Sequence, residues 1–223
     1  MGFAVAIDGP AGAGKSTIAK LVAKELNFIY VDTGAMYRAM GLKCLRTCTD
    51  ISVEEDVVKV CNNTDVSIRY ENNEQVIILD GTNVNGFIRT NEVGNAASTV
   101  SAYKDVRTKL VSLQRELAEK ESVVMDGRDI ASCVLPNADV KIYLDASVSC
   151  RAQRRYEEYI NKGQTVNYEE IKKDIIDRDY QDMNRTNSPL IRVPEAIYID
   201  SSDLTINRVC EMIISECKEK LNA

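Results

Sequence analysis

A short glycine-rich segment near the start of the sequence carries the clearest chemical signal. Residues 7–17 read IDGPAGAGKST and match G-x-x-x-x-G-K-[ST], with Gly9, Gly14, Lys15 and Ser16 at the defined positions. In this pattern, backbone N–H groups wrap a di- or triphosphate, the lysine reaches the β and γ phosphates, and the serine hydroxyl reaches Mg²⁺. The alternative is a chance glycine-rich turn. The expected nucleotide contacts are Gly9, Pro10, Ala11, Gly12, Ala13, Gly14, Lys15, Ser16 and Thr17.

The residues on either side of this loop would position it. FAVAID, residues 3–8, is an apolar run typical of a buried parallel strand, and apolar residues recur at helical spacing in residues 15–26. The order strand, loop, helix suits phosphate binding, because the positive end of the helix dipole adds to the loop amides. This context favours a phosphate site over a chance turn.

Further strands alternate with helical patterns along the chain. Short apolar runs followed by a polar residue lie at 28–31, 122–125, 140–144 and 196–199. The alternation predicts an α/β fold, a doubly wound parallel sheet with helices on both faces. In such sheets ligands bind at the carboxyl ends of the strands.

One segment breaks this alternation. Residues 65–84 alternate polar and apolar side chains and contain Asn-Asn at 72–73 and Asp-Gly at 80–81. This pattern predicts a small antiparallel hairpin or meander inserted between helices. We therefore expect a core formed by residues 1–60 and 101–223 and an insertion lobe formed by residues 61–100.

The composition excludes several function classes. A net charge of −6 without a basic run argues against nucleic acid as the main partner. The absence of histidine excludes Ser-His-Asp catalysis and imidazole acid–base chemistry, so the reaction must use Lys, Arg, Asp and a cation. The seven scattered cysteines indicate reduced thiols. With no leader pattern and no membrane-length apolar run, we expect a cytoplasmic protein with no membrane partner. We also expect the protein to be a monomer.

Charged residues directly follow one of the predicted strands. In VVMDGRDI, Asp126, Arg128 and Asp129 surround a glycine at the strand end. Asp126 is placed to hold a Mg²⁺-bound water or a substrate group beside the phosphate loop. The alternative is a charged turn containing an Arg–Asp pair.

Two groups of charged residues recur at helical spacing. Arg151, Arg154 and Arg155 would lie on one face of a helix. This face either meets a triphosphate or is a solvated surface paired with the nearby Glu157 and Glu158.

The second group is Arg178, Asp182 and Arg185, again on one helical face. It is either a binding face or ordinary surface pairing.

Together, these arginines, Lys15 and a cation at the strand ends indicate phosphoryl transfer. In that reaction, catalysis is mainly positioning and neutralisation of phosphate charge.

Several motifs together resemble bacterial cytidylate kinases, a family of nucleoside monophosphate kinases, over essentially the full length. The motifs are IDGPAGAGKST, DTGAMYR, GFIRTNEVGNAASTVSA, VMDGRDI, VKIYLDAS, RAQRRYEE and DRDYQDMNRTNSPL. The resemblance implies a P-loop core, a monophosphate-binding insertion and a mobile helical lid at about residues 150–168. It also implies ATP-dependent phosphorylation of CMP and dCMP with Mg²⁺ as cofactor. The alternatives are another monophosphate kinase of the UMP/CMP type and, remotely, a nucleotide-dependent switch.

The resemblance further implies roles for individual residues. Lys15, Arg128, Arg154 and Arg155 would be catalytic, Ser16 and Asp126 would hold Mg²⁺, and Arg151 would bind ATP. The CMP site would comprise Thr33, Tyr37, Arg38, Ser98, Arg107, Asp126, Arg128, Asp129, Arg178, Asp182 and Arg185. Ser98, Arg107 and Asp129 would contact the cytosine. Arg38, Arg128 and Arg185 would bind the phosphate, and Arg178 and Asp182 the ribose. One departure is that Ala131 and Ser132 stand where the family tends to have Gly-Thr.

Overall fold

The central element of the computed structural model, which describes residues 2–71 and 74–222, is a five-stranded sheet. In chain order the strands are β1 (Ala4–Asp8), β2 (Ile29–Asp32), β3 (Val66–Glu71), β4 (Glu74–Leu79), β5 (Thr82–Asn83), β6 (Val123–Gly127), β7 (Val140–Asp145) and β8 (Ile197–Asp200). The large sheet has the order β2-β6-β1-β7-β8, and all its neighbouring pairs are parallel. The doubly wound parallel sheet predicted from the apolar runs is confirmed.

Within the described ranges, eight α-helices connect and cover the strands. They are α1 (Lys15–Leu26), α2 (Thr33–Arg46), α3 (Glu54–Asn62), α4 (Asn91–Val100), α5 (Lys104–Lys120), α6 (Val148–Asn161), α7 (Tyr168–Asn184) and α8 (Ile206–Leu221), with a short π-type turn at Ile130–Val134. The helices α1 and α8 pack on one face of the sheet, while α5 and the π-type turn pack on the other. Both faces are therefore covered, as predicted.

The insertion is a small antiparallel sheet with the order β3-β4-β5. Asp80 and Gly81 both have positive φ, 48° and 81°, and form the two-residue turn between β4 and β5. The predicted Asn-Asn turn at 72–73 lies outside the described residues. The predicted boundary between the core and the insertion lobe, at residue 61, falls inside the last turn of α3. This boundary stays a prediction.

Side chains of the insertion fasten it to the end of β2. Gln75 on β4 accepts from Asp32 N at 2.6 Å and donates to Asp32 O at 3.2 Å. The Tyr70 hydroxyl donates to Tyr30 O at 3.0 Å. These long-range bonds place the insertion beside the carboxyl end of the sheet.

The helices α6 and α7 form a hairpin that packs through buried Ala152, Ile171 and Ile175. Ser147 caps α6 by accepting from Cys150 N at 3.2 Å. Across residues 2–71 and 74–222, no helix is both long enough and apolar enough to span a membrane.

Candidate active site

A cavity of about 480 Å³ lies at the carboxyl ends of β1 and β6, between the insertion and the α6–α7 hairpin. Ten basic and five acidic side chains of the described residues line it. The basic ones are Lys15, Arg38, Arg89, Arg107, Arg128, Arg151, Arg154, Arg155, Arg178 and Arg185, and the acidic ones are Asp32, Asp126, Asp129, Glu158 and Asp182. Since the whole chain carries a net charge of −6, this local excess of positive charge indicates a polyanionic ligand.

The phosphate loop, residues 9–17, follows β1 and leads into α1. Gly12 and Gly14 have left-handed φ values of 79° and 89°, which an L side chain rarely adopts. A Cβ at Gly9 would lie 1.9 Å from Leu144 O, so this glycine allows β1 and β7 to pack closely. Residues 11–17 line the cavity, whereas Gly9 and Pro10 do not. Gly9 therefore serves packing of β1 on β7, and its contact with a nucleotide stays a prediction.

Lys15, the first residue of α1, is buried at the base of the cavity. Its Nζ donates a hydrogen bond of 2.7 Å to Pro10 O. Burial lowers the pKa of Lys15 to about 7, and the Arg128 charge acts in the same direction. A phosphate group beside Nζ would raise this pKa again and hold the lysine charged.

Asp126, at the end of β6, accepts hydrogen bonds from two hydroxyl groups. Ser16 Oγ lies 2.9 Å from Oδ2, and the Tyr30 hydroxyl lies 2.8 Å from Oδ1. Burial raises the pKa of this carboxyl to about 6, with Asp32 adding to the effect. Within the described ranges no group of three or more metal-ligating side chains occurs. The Ser16 hydroxyl beside the Asp126 carboxylate fits Mg²⁺, because this ion keeps waters and takes most other ligands from substrate phosphates.

At the opposite end of the cavity, Arg107 from α5 and Asp129 after β6 form a buried ion pair. The Arg107 guanidinium lies 5.4 Å from the centre of the Tyr37 ring. Arg185 adds a second cation 3.6 Å from Asp129 Oδ1. Ser98 of α4 lines the same cavity, and its contact with a base, like that of Arg107 and Asp129, stays a prediction.

Asp8 is a buried carboxylate that sequence reasoning missed. It accepts from Ile130 N at 2.8 Å and from Ala131 N at 2.7 Å, and so fixes the loop that carries Asp129. Burial raises its pKa to about 6 despite these two donors.

Several arginines lie in the middle of the cavity. Arg128 Nε donates to Asp182 Oδ2 at 2.7 Å, whereas Arg178 Nε is buried without a partner among the described residues. Burial lowers the pKa of Arg178 to about 10, with Arg128 adding to the effect. Arg38 NH1 donates to Ile88 O at 3.1 Å. Burial also lowers the pKa of Arg38, with the Arg89 charge adding to the effect. An anion beside Arg38 and Arg178 would favour their charged forms.

Unlike Arg154 and Arg155 on the same helix, Arg151 is almost fully buried and forms an ion pair within the protein. It is 3% exposed, and its guanidinium donates to Ala146 O at 2.8 Å and Ala11 O at 2.9 Å. It also pairs with Asp179 Oδ2 on α7 at 2.7 Å. Arg151 thus ties the phosphate loop to α7, and direct contact with ATP stays a prediction.

Arg154 and Arg155 reach the cavity from α6. Arg154 donates to Ser201 O at 2.6 Å, and Arg155 Nε lies 3.3 Å from the Tyr159 hydroxyl. Glu157 accepts instead from Gln153, and Glu158 from Lys162.

Arg89 is a cavity residue for which the sequence suggested no role. Its NH2 lies 2.7 Å from Oδ2 of Asp32, which also caps α2 by accepting from Ala35 N at 2.9 Å. The signal available was an arginine directly before Thr90, a hydroxyl residue suited to begin a helix after the meander.

Comparison with known proteins decides the family. The sequence profile described as cytidylate kinase matches residues 5–219. The chain belongs to the cytidylate kinase family. It is 47% identical over 212 residues to the cytidylate kinase of Clostridioides difficile, covering 95% of this chain and 96% of that protein. It is 45% identical over 218 residues to the cytidylate kinase of Bacillus subtilis, covering 98% of this chain and 97% of that protein.

The fold of this cytidylate kinase family member also occurs at low sequence identity. A crystal structure of an uncharacterized protein from Eubacterium ventriosum matches 97% of this chain and 98% of that chain, with a TM-score of 0.53 and 14% identity. This likeness concerns the fold alone. Family membership makes the protein a kinase, and the roles of its individual site residues remain predictions.

Proposed function

We propose that this kinase transfers the terminal phosphoryl group of ATP to the phosphate of CMP or dCMP. The bond from the terminal phosphorus to the ADP oxygen breaks, a bond to a CMP phosphate oxygen forms, and CDP or dCDP and ADP leave. One observation carries the proposal: a single cavity joins a phosphate loop at one end to the Arg107–Asp129 pair at the other, with cations between.

The donor nucleotide would lie on the phosphate loop. Lys15 Nζ, now bound to Pro10 O, would turn to the β and γ phosphates. Ser16 and Asp126 would hold Mg²⁺, partly through water. When bound, Mg²⁺ would neutralise charge on the phosphates.

The acceptor would occupy the side of the cavity nearer the insertion. Thr33, Tyr37 and Arg38 come from α2, and Arg178 and Asp182 come from α7. We assign the monophosphate to Arg38, Arg128 and Arg185, and the ribose to Arg178 and Asp182. The unpartnered Nε of Arg178 supports a polar ligand at this place.

The base would be selected by hydrogen-bond polarity. Cytosine presents an amine donor beside acceptors at N3 and O2, whereas uracil presents a carbonyl and an N–H. Asp129 can accept from the amine, and Arg107 and Ser98 can donate to the acceptors. This arrangement supports CMP over UMP, the alternative substrate.

The chemical step needs charge neutralisation more than a base. Arg128, Arg154 and Arg155 would meet the charge that develops on the transferred group. A phosphate acceptor needs no strong base, which agrees with a chain that lacks histidine.

Product analysis tests the proposal against the switch alternative. The protein is incubated with ATP, Mg²⁺ and CMP, and the nucleotides are separated by anion-exchange chromatography. We expect equal amounts of ADP and CDP, and neither without CMP. ADP formed alone would indicate a nucleotide-hydrolysing switch and would contradict the proposal.

We also propose that the protein is a cytoplasmic monomer. All seven cysteines lie within the described residues and are free thiols, which fits a reducing compartment. Light scattering coupled to size exclusion should give a mass near 24.8 kDa, and twice that mass would contradict the monomer.

A further inference from the structure

One tyrosine of α6 contacts the insertion side of the cavity. The Tyr159 hydroxyl donates a hydrogen bond of 2.8 Å to Asn91 Oδ1. Tyr159 lies in the last turn of α6, and Asn91 is the first residue of α4. The bond thus joins the α6–α7 hairpin to the segment that follows the meander.

The same hydroxyl also holds Arg155, one helical turn away. Arg155 Nε donates to it at 3.3 Å, and the guanidinium carbon lies 5.7 Å from the centre of the tyrosine ring. A tyrosine hydroxyl has one proton to donate and lone pairs to accept with, so it can serve Asn91 and Arg155 together. The position of Arg155 therefore depends on where the Tyr159–Asn91 bond holds the ring.

The residues just before Asn91 hold an arginine assigned to the other substrate. Arg38 NH1 donates to Ile88 O at 3.1 Å and lies 3.4 Å from Thr90 O. Residues 88–91 therefore contact Arg38 directly and Arg155 through Tyr159. One short segment sets the spacing between an arginine of the acceptor side and an arginine of the hairpin.

We propose that Tyr159 is a positioning residue for phosphoryl transfer, which holds Arg155 and fastens the hairpin to residues 88–91 through Asn91. The inference rests on the proposed function, since the role given to Arg155 is defined by that reaction. Without the hydroxyl, Arg155 loses its Nε acceptor, and its long side chain regains rotamer freedom. Because neither nucleotide contacts Tyr159 in this assignment, the loss should fall on kcat and not on binding.

Phenylalanine at position 159 and alanine at position 91 test the pair. We expect Tyr159→Phe and Asn91→Ala each to lower kcat for CMP about tenfold, with KM for ATP and CMP changed less than about threefold. The double variant should be no slower than Tyr159→Phe alone, because both changes remove one bond. Asn91→Asp keeps an acceptor and should recover most of the activity.

The matched control is Tyr156→Phe, which alters a tyrosine of the same helix whose ring packs edge-on against Tyr168 in the hairpin. Its kcat should equal that of the unmodified protein. Wild-type kcat in Tyr159→Phe, or losses that multiply in the double variant, would overturn the inference.

Backbone hydrogen exchange separates this inference from the proposed function. Exchange in residues 88–91 and 155–159 should rise together in Tyr159→Phe and Asn91→Ala, and stay unchanged in Tyr156→Phe. Unchanged exchange in all variants would overturn the link. If the unmodified protein forms no CDP, the proposed function fails on its own, and the exchange data still decide whether the bond joins the two segments.

Discussion

At the scale of single residues, the site depends on charges held out of water. Lys15, Asp126 and Asp8 are all buried, and burial shifts the pKa of each toward the neutral form. Each has a partner that offsets part of the cost: Pro10 O, the Ser16 hydroxyl, and the backbone N–H groups after Asp129. Buried groups with shifted pKa values of this kind are typical of functional sites.

Lys15→Met removes the one lysine of the phosphate loop. We expect kcat/KM to fall by on the order of 10³, because a charge contact of several kcal/mol is lost from the transition state. Steady-state kinetics with ATP and CMP check this. Lys20→Met, at an exposed position of the same helix, is the control and should leave the rate unchanged. Near-normal turnover of a folded Lys15→Met variant would exclude the assigned role.

Asp8 should make stability depend on pH. Burial raises its folded-state pKa from 3.8 to about 6, so between these values the folded protein binds the proton more tightly than the unfolded chain. The contribution of Asp8 to the free energy of unfolding is therefore full below about pH 4 and is lost as the pH rises through 6. Relative to Asp8→Asn, the free energy of unfolding should fall by on the order of 3 kcal/mol over this window.

Urea unfolding at several pH values measures this difference, with Asp203→Asn at an exposed position as the control. Parallel profiles for the unmodified protein and Asp8→Asn would show that Asp8 does not carry this proton.

The residues of the phosphate loop and of VMDGRDI were predictable because each motif is local in sequence. The contacts of Asp8 were not, since Ile130 N lies 122 residues further along the chain. Gly9 and Arg151 show a related limit. Their residue types fitted a phosphate site, but the close packing of β1 on β7 and the pair with Asp179 appear only once the strands and helices are assembled.

At the scale of elements, α6 combines two tasks on one face. Arg151 braces the phosphate loop against α7, while Arg154 and Arg155 are held by Ser201 and Tyr159 at the cavity. The spacing of the arginines predicted the shared face but not this division of roles. The helix α3 was not anticipated, although three acidic residues in its first turn, 54–56, were a usable signal for a helix start.

Arg151→Met should destabilise the fold, whereas Arg154→Met should mainly slow the reaction. Removing Arg151 leaves Asp179 buried without its cation, at a cost of about 3–5 kcal/mol. For a chain of this length, the melting temperature should then fall by roughly 10 °C. Arg154 is only half-buried, so its replacement should shift the melting temperature by no more than a few degrees while lowering kcat. Calorimetry gives the melting temperature of each variant, and steady-state kinetics gives its kcat. Equal melting temperatures for the two variants would contradict the stabilising role of the Arg151–Asp179 pair.

At the scale of the whole molecule, the charge distribution is the main feature. A chain with net charge −6 concentrates ten basic side chains around one cavity, against five acidic ones. The parallel sheet, the insertion and the α6–α7 hairpin each contribute some of them. The sequence predicted the parallel sheet and the antiparallel insertion, while the resemblance implied only a lid at about residues 150–168 in the region of the hairpin. The fold adds the fact that these parts share one cavity.

The comparison of CMP with UMP as acceptors tests the central claim most directly. With saturating ATP, kcat/KM is measured for each nucleotide on the unmodified protein. The account predicts a preference for CMP of at least about tenfold, because uracil would leave Asp129 and its donor neighbours mismatched at about 1–3 kcal/mol per unpaired group. Equal kcat/KM values for CMP and UMP would contradict it.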